Sequence, residues 1–539
     1  MPDGRYKVEI TADAGIPDGA EVTVGPVSTW TNLPGGFTIR EIEIGDGVTA
    51  ISGKAFADTN YSKDISSIKF PESLTHIGES AFINRTQLDK VDLSNTSVTN
   101  IDANAFSGCI YLQTVELPDS IEYIKGSAFM GCIALETCKI PMTSNLISIG
   151  INAFKNCSRL NAINLPETME DSVVDGENVP ALGSSAFSGC SILKEIKIPS
   201  NVTCISSSCF ADCAQLVNVE LPDGFKQIGD SAFSGCSALT NINIQPTINE
   251  IGKSAFKGCE LLTSFTLPKD VMAIADSTFE GCTNLKTVIL EDESQGKSAL
   301  KTINQKAFLD CTSLVAIEIP EGVTGIGNNA FKGCVALKEA NLAGTVGTVG
   351  DNAFNGCKAL ATVTLPEGIK TIGVSTFGGC TSLTEVEVPS TVEAIAKGAF
   401  QGCTSLKTAN IPANTPIISE SVFDGCSALT KVKLEEGITT IDTKAFNGCT
   451  KLVDIAIPSS VKTIGQYAFY KCSSLQNIEI NGPVEVISKG TFELCSNLLT
   501  VKLSDTINTI GESAFKSCSK LGAVTLPKSL VGIGNTLTS

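Results

Sequence analysis

The sequence is poor in the residues from which most catalytic sites are built. It has one histidine, His76, among 539 residues. A Ser-His-Asp or Cys-His arrangement would have to rest on that residue, and no orienting acid or oxyanion site can be named for it. We therefore interpret His76 as a surface residue. No pair of carboxylates has a spacing that indicates acid/base work either, so we predict that the chain is not an enzyme and expect no cofactor.

Long apolar runs and an excess of positive charge are also missing. No stretch approaches the roughly 20 apolar residues that cross a bilayer, and the start, MPDGRYKVEI, lacks the basic and apolar regions of a secretory signal. With 39 Lys and Arg against 57 Asp and Glu, the net charge is −18. A nucleic-acid backbone would be repelled by this charge. We expect neither a membrane-spanning segment nor a nucleic-acid partner.

What the chain does contain is a phenylalanine followed three residues later by a cysteine, repeated along its length. From Phe308 to Phe515 the interval is always 23 residues, and Phe187 to Phe279 keeps the same step. Twenty of the 24 phenylalanines occupy this frame. A period between 20 and 50 residues is typical of a stacked solenoid. We therefore predict one long repeat domain in place of several globular domains.

Each repeat contains the elements of one solenoid turn. The segment L-x-x-V-x-L, as at Leu383–Val388, alternates apolar and polar residues like a half-buried strand, and proline often ends it. A second apolar pair, such as Val461 and Ile464, predicts another short strand. The segment A-F-x-G-C is too short for a full helix and predicts one helical or 3₁₀ turn. Stacking would join the first strands into a parallel sheet.

The complete unit, seen from Leu360 to Cys380, resembles the BspA-like class of leucine-rich repeats, and the resemblance covers roughly residues 39–534. It implies a leucine-rich-repeat solenoid, a curved right-handed stack of about twenty repeats. The parallel β-sheet would line the concave face, with short second strands and 3₁₀ or helical turns elsewhere. The resemblance also implies a surface or secreted protein of the adhesin type. It transfers no site residue, because the family has no catalytic motif.

The domain organisation follows the frame. We expect residues 1–36, which lack the repeat, to form an N-terminal β cap with strands at Tyr6–Ile10 and Ala20–Val24, and residues 37–539 to form the solenoid. Insertions near 167–178 and 291–299 interrupt the rhythm, and the chain ends in mid-repeat. Ending there favours a trimmed chain, since terminal repeats usually need a polar cap.

The phenylalanine and cysteine columns are interpreted as core. One phenylalanine per turn would stack into an aromatic spine, with Phe70 and Phe265 also interior. Eighteen of the 21 cysteines lie in one column, which places single thiols along a line and disfavours a metal site. We expect buried, reduced thiols, while disulfides between adjacent rungs are left open. Cys138 should be core, and a Cys204–Cys209 bridge is a separate hypothesis.

The two insertions are rich in acidic residues. Hard oxygen ligands in such loops could bind calcium, although no EF-hand spacing is present and acidic loops are usually only solvated. Both interpretations stay open at this stage. The residues concerned are Glu167, Glu170, Asp171, Asp175 and Glu177 in the first insertion, and Glu291, Asp292 and Glu293 in the second.

Partner binding should involve the polar strand positions that face outward from the sheet. On this concave face we predict an acidic stretch and, two repeats later, a basic one, and such charges steer encounter and select partners. A merely solvated face is the alternative for each residue. The candidate partner-binding residues are Glu318, Glu339, Glu385, Glu387, Lys431 and Lys433.

The sequence thus favours a cell-surface or secreted binding protein, adhesive and directed at a protein such as a host matrix or cell-surface protein. The alternative is a structural scaffold or an intracellular, cytoplasmic interaction module. The missing secretory signal and the reduced-looking cysteines favour the alternative, unless the signal and anchor have been trimmed away.

Overall fold

The computed structural model of the protein describes residues 5–10, 23–25, 38–57, 62–174, 177–290 and 296–535. It divides into two compact units, Met1–Leu262 and Thr263–Ser539. In both units the chain winds as a parallel β-solenoid, and one turn is called a rung below. A rung consists of a primary strand from the L-x-x-V-x-L segment, a secondary strand of two residues, and the turn that carries A-F-x-G-C. The predicted leucine-rich-repeat solenoid is confirmed.

The strands of the first unit fall into these two classes, with one additional hairpin. Its primary strands are Arg5–Ile10, Thr38–Ile44, Ser67–Lys69, Lys90–Asp92, Thr114–Glu116, Thr137–Lys139, Glu195–Lys197, Asn218–Glu220 and Asn241–Ile242. Its secondary strands are Thr23–Val24, Ala50–Ile51, His76–Ile77, Asn100–Ile101, Tyr123–Ile124, Ser148–Ile149, Cys204–Ile205, Gln227–Ile228 and Glu250–Ile251. The antiparallel hairpin joins Ser172–Val174 to Glu177–Val179 within the first insertion.

The second unit repeats the pattern without a hairpin among its described residues. Its primary strands are Ser264–Thr266, Thr287–Ile289, Ala316–Glu318, Glu339–Asn341, Thr362–Thr364, Glu385–Glu387, Thr408–Ile411, Lys431–Leu434, Asn477–Glu479 and Thr500–Lys502. Its secondary strands are Ala273–Ile274, Thr302–Ile303, Gly325–Ile326, Thr348–Val349, Thr371–Ile372, Ala394–Ile395, Ile417–Ile418, Thr440–Ile441, Thr463–Ile464, Val486–Ile487, Thr509–Ile510 and Gly532–Ile533. These twelve secondary strands form one sheet.

The strand register follows the repeat. In the second unit Glu385 pairs with Thr408, which pairs with Lys431, so partners are 23 residues apart along the chain. Equivalent positions of successive repeats therefore stack in columns. The central residue of each primary strand points inward, as Val386 does with 3% of its surface exposed. The residues on either side of it point to solvent.

The turn differs in one detail from the expectation. Residues around Phe331 form linked β-turns, and the helical or 3₁₀ turn predicted for A-F-x-G-C is wrong. The reason is backbone conformation, because Asn329 and Gly333 both have positive φ, 58° and 76°, which a right-handed helical turn cannot contain. The turn also bonds to the next rung, with the amide of Phe331 donating to the carbonyl oxygen of Ala353 at 2.7 Å.

The phenylalanine column forms the predicted spine within each unit. From Phe56 to Phe256 in the first unit and from Phe279 to Phe515 in the second, neighbouring rings are stacked, as in Phe400 and Phe423 with centroids 5.7 Å apart. Phe265 meets Phe279 edge-on at 4.8 Å and is buried. Because each ring contacts the rings above and below it, the spine links the packing of neighbouring rungs.

The first described strands continue the two ladders toward the N-terminus. Arg5–Ile10 pairs in parallel with Thr38–Ile44, and Thr23–Val24 pairs with Ala50–Ile51. Strands thus occur at both predicted places, although residues 11–22 and 26–37 lie outside the described part of the chain. The boundary between a cap at 1–36 and a solenoid at 37–539 stays a prediction. The acidic residues of the second insertion, Glu291 to Glu293, also lie outside it.

Arg85 occupies a place that holds cysteine in most repeats. It is buried, with 1% of its surface exposed. Its guanidinium donates to the Ser62 hydroxyl at 2.6 Å and, through Nε, to the carbonyl oxygen of Ile83 at 3.1 Å. These charge-assisted bonds offset part of the cost of burying a cation. The departure from the consensus in this rung is therefore accommodated inside the fold.

The glycine of the I-G pair lies where two rungs approach most closely. A Cβ at Gly465 would be 2.4 Å from the backbone nitrogen of Thr443 in the preceding rung. Backbone cannot move aside as a flexible side chain can, so a larger residue would force the rungs apart. Glycine at this place is explained by contact distance between rungs.

We expect Gly465→Ala to lower the free energy of unfolding by about 1–3 kcal/mol, the usual cost of overpacking. Gly347→Ala is the matched control in the same unit, because the nearest atom to a Cβ there is 3.8 Å away. It should be neutral or slightly stabilising. Urea unfolding of both variants measures the difference, and equal midpoints would contradict the close-approach explanation.

Candidate functional site

The candidate site lies on the outward positions of the primary strands. In the second unit these positions form two columns that run across the strands at the register of the repeat. We call them the outer columns. The first contains Glu339, Thr362, Glu385, Thr408 and Lys431, and the second contains Glu318, Asn341, Thr364, Glu387, Asn410 and Lys433. All of these residues are exposed.

The structure brings Glu385 and Glu387 close to Lys431 and Lys433. Glu385 and Glu387 flank the buried Val386 on one strand. Lys431 and Lys433 occupy the same two columns two strands further on, with Thr408 and Asn410 between. Two strand spacings correspond to about 10 Å between the backbones. Acidic and basic side chains therefore share one small region of the strand face.

Glu318 and Glu339 continue the outer columns on the N-terminal side of Glu385. They belong to the sheet formed by Ala316–Glu318, Glu339–Asn341 and Thr362–Thr364, and the amide of Thr384 donates to the carbonyl oxygen of Ala361 at 3.3 Å between this sheet and the next. Glu318 pairs with Asn341, and Glu339 pairs with Ala316, so the two carboxylates lie in different columns. Glu339 is two strands from Glu385, the same number of strands that separates Glu385 from Lys431, so the six candidate residues follow one another along the two columns.

We call Glu385, Glu387, Lys431 and Lys433 the Glu385 group. Few of its charges are neutralised by an ion pair. Among the described residues no ion pair engages Glu385, Glu387 or Lys431, while Lys433 Nζ lies 2.5 Å from Glu435 Oε1. A partner that carries complementary charge would meet these groups without first breaking an ion pair. Such charges affect the association rate and partner choice more than the final affinity.

On the strands from Lys90 to Lys139 in the first unit, the corresponding charges are paired with each other. Lys90 Nζ lies 2.9 Å from Asp92 and 3.4 Å from Glu116, and Lys139 Nζ lies 3.2 Å from the same Glu116. The hydrogen bond from Lys90 lowers the pKa of Asp92 and the reciprocal contact raises the pKa of Lys90. These opposite charges neutralise one another across neighbouring strands. It presents less unpaired charge than the Glu385 group does.

The cysteine column is part of the core. Thiols along the column donate to the carbonyl oxygen of the phenylalanine in the preceding rung, as Cys380 does to Phe354 at 3.2 Å. Burial raises the pKa of Cys357 and Cys472 to about 12. All of the cysteines are free thiols in the structure. The expectation of buried thiols agrees with this arrangement, and a thiolate for metal or nucleophilic chemistry is disfavoured.

The three cysteines outside the column are also free. Cys138 is buried at the centre of a primary strand, as expected. Cys209 is buried and Cys204 is half-buried, and the structure contains no bridge between them. Burial, together with the nearby carboxylate of Asp171, raises the pKa of Cys204 to about 12. Low thiolate content slows disulfide formation at neutral pH.

Two acids of the first insertion, Glu167 and Asp171, have structural partners, while Asp175 lies outside the described residues. Glu167 accepts hydrogen bonds from Lys197 Nζ at 3.1 Å and from the amide of Ser200 at 2.8 Å. Asp171 accepts from the amides of Ala181 and Thr203 at 2.9 and 2.7 Å. These bonds tie the insertion to the following rung. Within the described ranges, no three His, Cys, Asp or Glu side chains are placed to hold a metal ion together.

His76 has an acidic neighbour that the sequence did not reveal. Its Nε2 lies 3.3 Å from Asp102 Oδ2, and Lys125 Nζ lies 2.6 Å from the other oxygen of Asp102. In its ladder His76 stands between Ala50 and Asn100, neither of which is a nucleophile. The histidine is therefore one member of a surface charge cluster. The sequence feature that could have drawn attention to Asp102 is its position, because it stands where the repeat has the glycine of the I-G pair.

Comparison with known proteins identifies the repeat. The family model described as BspA-type leucine-rich repeat region matches residues 35–143, 86–177, 171–286, 301–430 and 416–537. The chain belongs to the BspA-type leucine-rich-repeat family. The predicted resemblance is thereby confirmed for most of the chain. No curated protein matches the sequence.

Solved structures of bacterial leucine-rich-repeat proteins are similar to this BspA-type chain. One from Bacteroides ovatus is 28% identical, with 69% of this chain and 83% of that one covered and a TM-score of 0.49. A leucine-rich cell-surface protein from Faecalibacterium prausnitzii is 27% identical, with coverages of 51% and 88% and a TM-score of 0.31. The Treponema pallidum protein TpLRR is 27% identical, with coverages of 33% and 73% and a TM-score of 0.27.

Membership in a repeat family of bacterial surface proteins is consistent with a protein-binding role. In the described part of this BspA-type chain, no helix has the length and apolar character needed to span a membrane.

The buried thiols predict a loss of stability at alkaline pH. A thiol whose pKa is raised from about 9 in the unfolded chain to about 12 in the fold stabilises the native state below pH 9. This contribution is lost as the pH rises from 9 towards 12. In the triple variant C357A/C403A/C472A, we expect a shallower decrease in the unfolding midpoint between pH 8 and pH 10.5 than in the wild type.

Val422→Ala serves as the control, because it removes buried volume in the same unit without removing a titratable group. It should lower the midpoint equally at every pH. Urea unfolding at four pH values compares the slopes. Parallel profiles for the wild type and the triple variant would contradict a role of thiol burial in the alkaline decrease.

Proposed function

We propose that the protein is a non-enzymatic binding protein of the cell surface or secreted space, which adheres to a host matrix or cell-surface protein through its solenoid surface. The observation that carries this proposal is the exposed, little-neutralised charge of Glu385, Glu387 and Lys431 on the outer columns. The family supports the protein-binding class. Adhesion to a host protein is the more specific part of the proposal.

The chemistry of the outer columns fits a partner met over an extended surface. The column that contains Glu318, Glu387 and Lys433 has no aromatic residue. Strong single anchors in interfaces are usually tryptophan, tyrosine or arginine, so each contact here would be weak. Many weak contacts along a repeat surface gain from multivalency. A densely presented matrix or cell-surface protein would supply such multivalent contacts.

A structural scaffold or intracellular interaction module is the second candidate. The free state of the cysteines favours it, because thiols persist most easily in reducing compartments. Burial of the thiols weakens that argument, since a thiol with a raised pKa reacts slowly even under oxidising conditions. Surface labelling of intact cells of the source organism with an antibody to this chain separates the two candidates.

We expect the protein to bind at least one member of an array of matrix and cell-surface proteins, and the double reversal E385K/E387K to change that binding. For a basic partner, the association rate constant should decrease by about tenfold at low salt and by much less in 0.5 M salt. For an acidic partner, the reversal K431E/K433E should have that effect instead. Surface plasmon resonance at both salt concentrations measures the rates.

The matched control is E485K/D505K, which makes the same change in net charge at exposed residues outside the primary strands of the same unit. It should leave the rates unchanged. If both primary-strand reversals behaved like this control towards every bound protein, the Glu385 group would not be the binding site. Absence of binding to any array member would contradict the adhesive function itself.

A further inference from the structure

A cleft interrupts the primary-strand face of the first unit. Among the described residues, no backbone hydrogen bond joins residues 161–164 to residues 194–197, whereas the next pair of rungs does bond at this place, with the amide of Val217 donating to the carbonyl oxygen of Lys194 at 2.8 Å. On its other side, the segment 161–164 is joined to the preceding primary strand by one isolated β-bridge, between Ala162 and Thr137. The ladder therefore opens between residues 161–164 and Glu195–Lys197.

The cause of the opening lies in the sequence. Between Leu165 and Ile198 the chain carries the first insertion, and Glu167 at its start reaches across to Lys197 and to the amide of Ser200. The rung that contains Ile163 is thus tied to its successor through side chains at this edge. Strand bonds are replaced there by the Glu167 contacts, and space remains between the two rungs.

The resulting cleft has an apolar wall and a polar rim. Its volume is about 230 Å³. Ile163, Leu165 and Ile196 are buried beneath it, and Met142 stands at its side with 56% of its surface exposed. This volume is below the roughly 300 Å³ at which small-molecule sites begin. The cleft is therefore sized for one side chain of a partner and not for a cofactor.

The rim is negative overall. Glu167, Glu195 and Glu220 line the cleft together with one cation, Lys197. Lys197 is held by Glu167, so its charge is already matched. Glu195 has no ion-pair partner among the described residues, and Glu220 receives only a long hydrogen bond from Asn218 Nδ2 at 3.5 Å. Lys197 stands opposite Glu220 in the strand register but is bound to Glu167, so two exposed carboxylates border the apolar wall with one cation that is already shared.

We propose that this cleft receives an arginine side chain of the protein partner. The methylene stem would cover Ile163 and Met142, and the guanidinium would meet the Glu195 and Glu220 carboxylates. Arginine fits better than lysine because its guanidinium is more weakly hydrated and presents several donors in a plane. Arginine is also enriched among the residues that dominate interfaces. The inference rests on the proposed protein-binding function and specifies one contact of it.

The probe is the peptide acetyl-Gly-Arg-Gly amide added to the full chain, with binding followed by saturation-transfer NMR of the peptide protons. The lysine peptide should bind more weakly, and the citrulline peptide, which is uncharged and nearly the same shape, should give no saturable signal. E195Q/E220Q should weaken binding of the arginine peptide by about threefold to tenfold, the sum expected of two exposed charge pairs.

Ala162→Phe tests the cleft without changing a charge, because Ala162 is an exposed lining residue. The added ring should fill the space and weaken binding to a similar extent. E485Q/D505N is the matched control, since it removes two exposed carboxylates of the second unit that lie outside its primary strands. It should leave binding unchanged, and equal melting temperatures confirm that all variants are folded.

Equal signals from the arginine and citrulline peptides, or equal binding by wild type, E195Q/E220Q and A162F, would overturn the proposal. Failure of the proposed function gives a different pattern. If no protein of the array binds but the peptide binds at the cleft, the cleft stands and the adhesive function fails. If array proteins bind and E195Q/E220Q and A162F leave both protein and peptide binding unchanged, protein binding stands and this inference fails.

Discussion

Within each unit, the structure depends on the distance between successive rungs. Three backbone ladders set this distance, through the primary strands, the secondary strands and the turns. The aromatic rings stack at the same repeat, with Phe308 and Phe331 5.1 Å apart, and the thiol of Cys334 reaches the carbonyl oxygen of Phe308 at 3.2 Å. A residue that changes the spacing at one place therefore strains all of these contacts together.

The same constraint separates residues that specify the fold from residues available for binding. The central residue of a primary strand, such as Val386, is buried, whereas Glu385 and Glu387 beside it touch solvent. Substitution of the outer residues changes no spacing between rungs. Charge can therefore vary freely along the outer columns while the core keeps its pattern, and each rung places its outer side chains at a position that the register defines. A solenoid of this kind offers a surface whose geometry is fixed and whose chemistry is not.

Much of the fold was predictable from sequence because the period repeats so many times. The phenylalanine spine, both strand classes and the buried thiol column follow from positions such as Phe354 and Cys380, whose environment is the same in each rung. The turn was mistaken for a helical one because positive φ at Asn329 is not apparent in a residue type that also occurs in helices. The sequence likewise indicated the exposed columns, because the positions of Glu318 and Glu385 beside buried strand centres recur in each repeat.

The cleft shows why irregular places were harder to predict. From sequence, the first insertion looked like an acidic loop whose carboxylates could bind calcium. In the structure, the carboxylates of Glu167 and Asp171 accept hydrogen bonds from amides and a hydroxyl of the next rung. The insertion has a different effect, because the ladder of primary strands opens beside Ile163. The repeat period predicts the contacts that neighbouring rungs have in common, and this cleft arises where two rungs lack those contacts. Where primary strands bond to each other, as Glu195–Lys197 does to Asn218–Glu220, they close the face, and the opening beside Ile163 leaves a concave pocket bordered by exposed carboxylates.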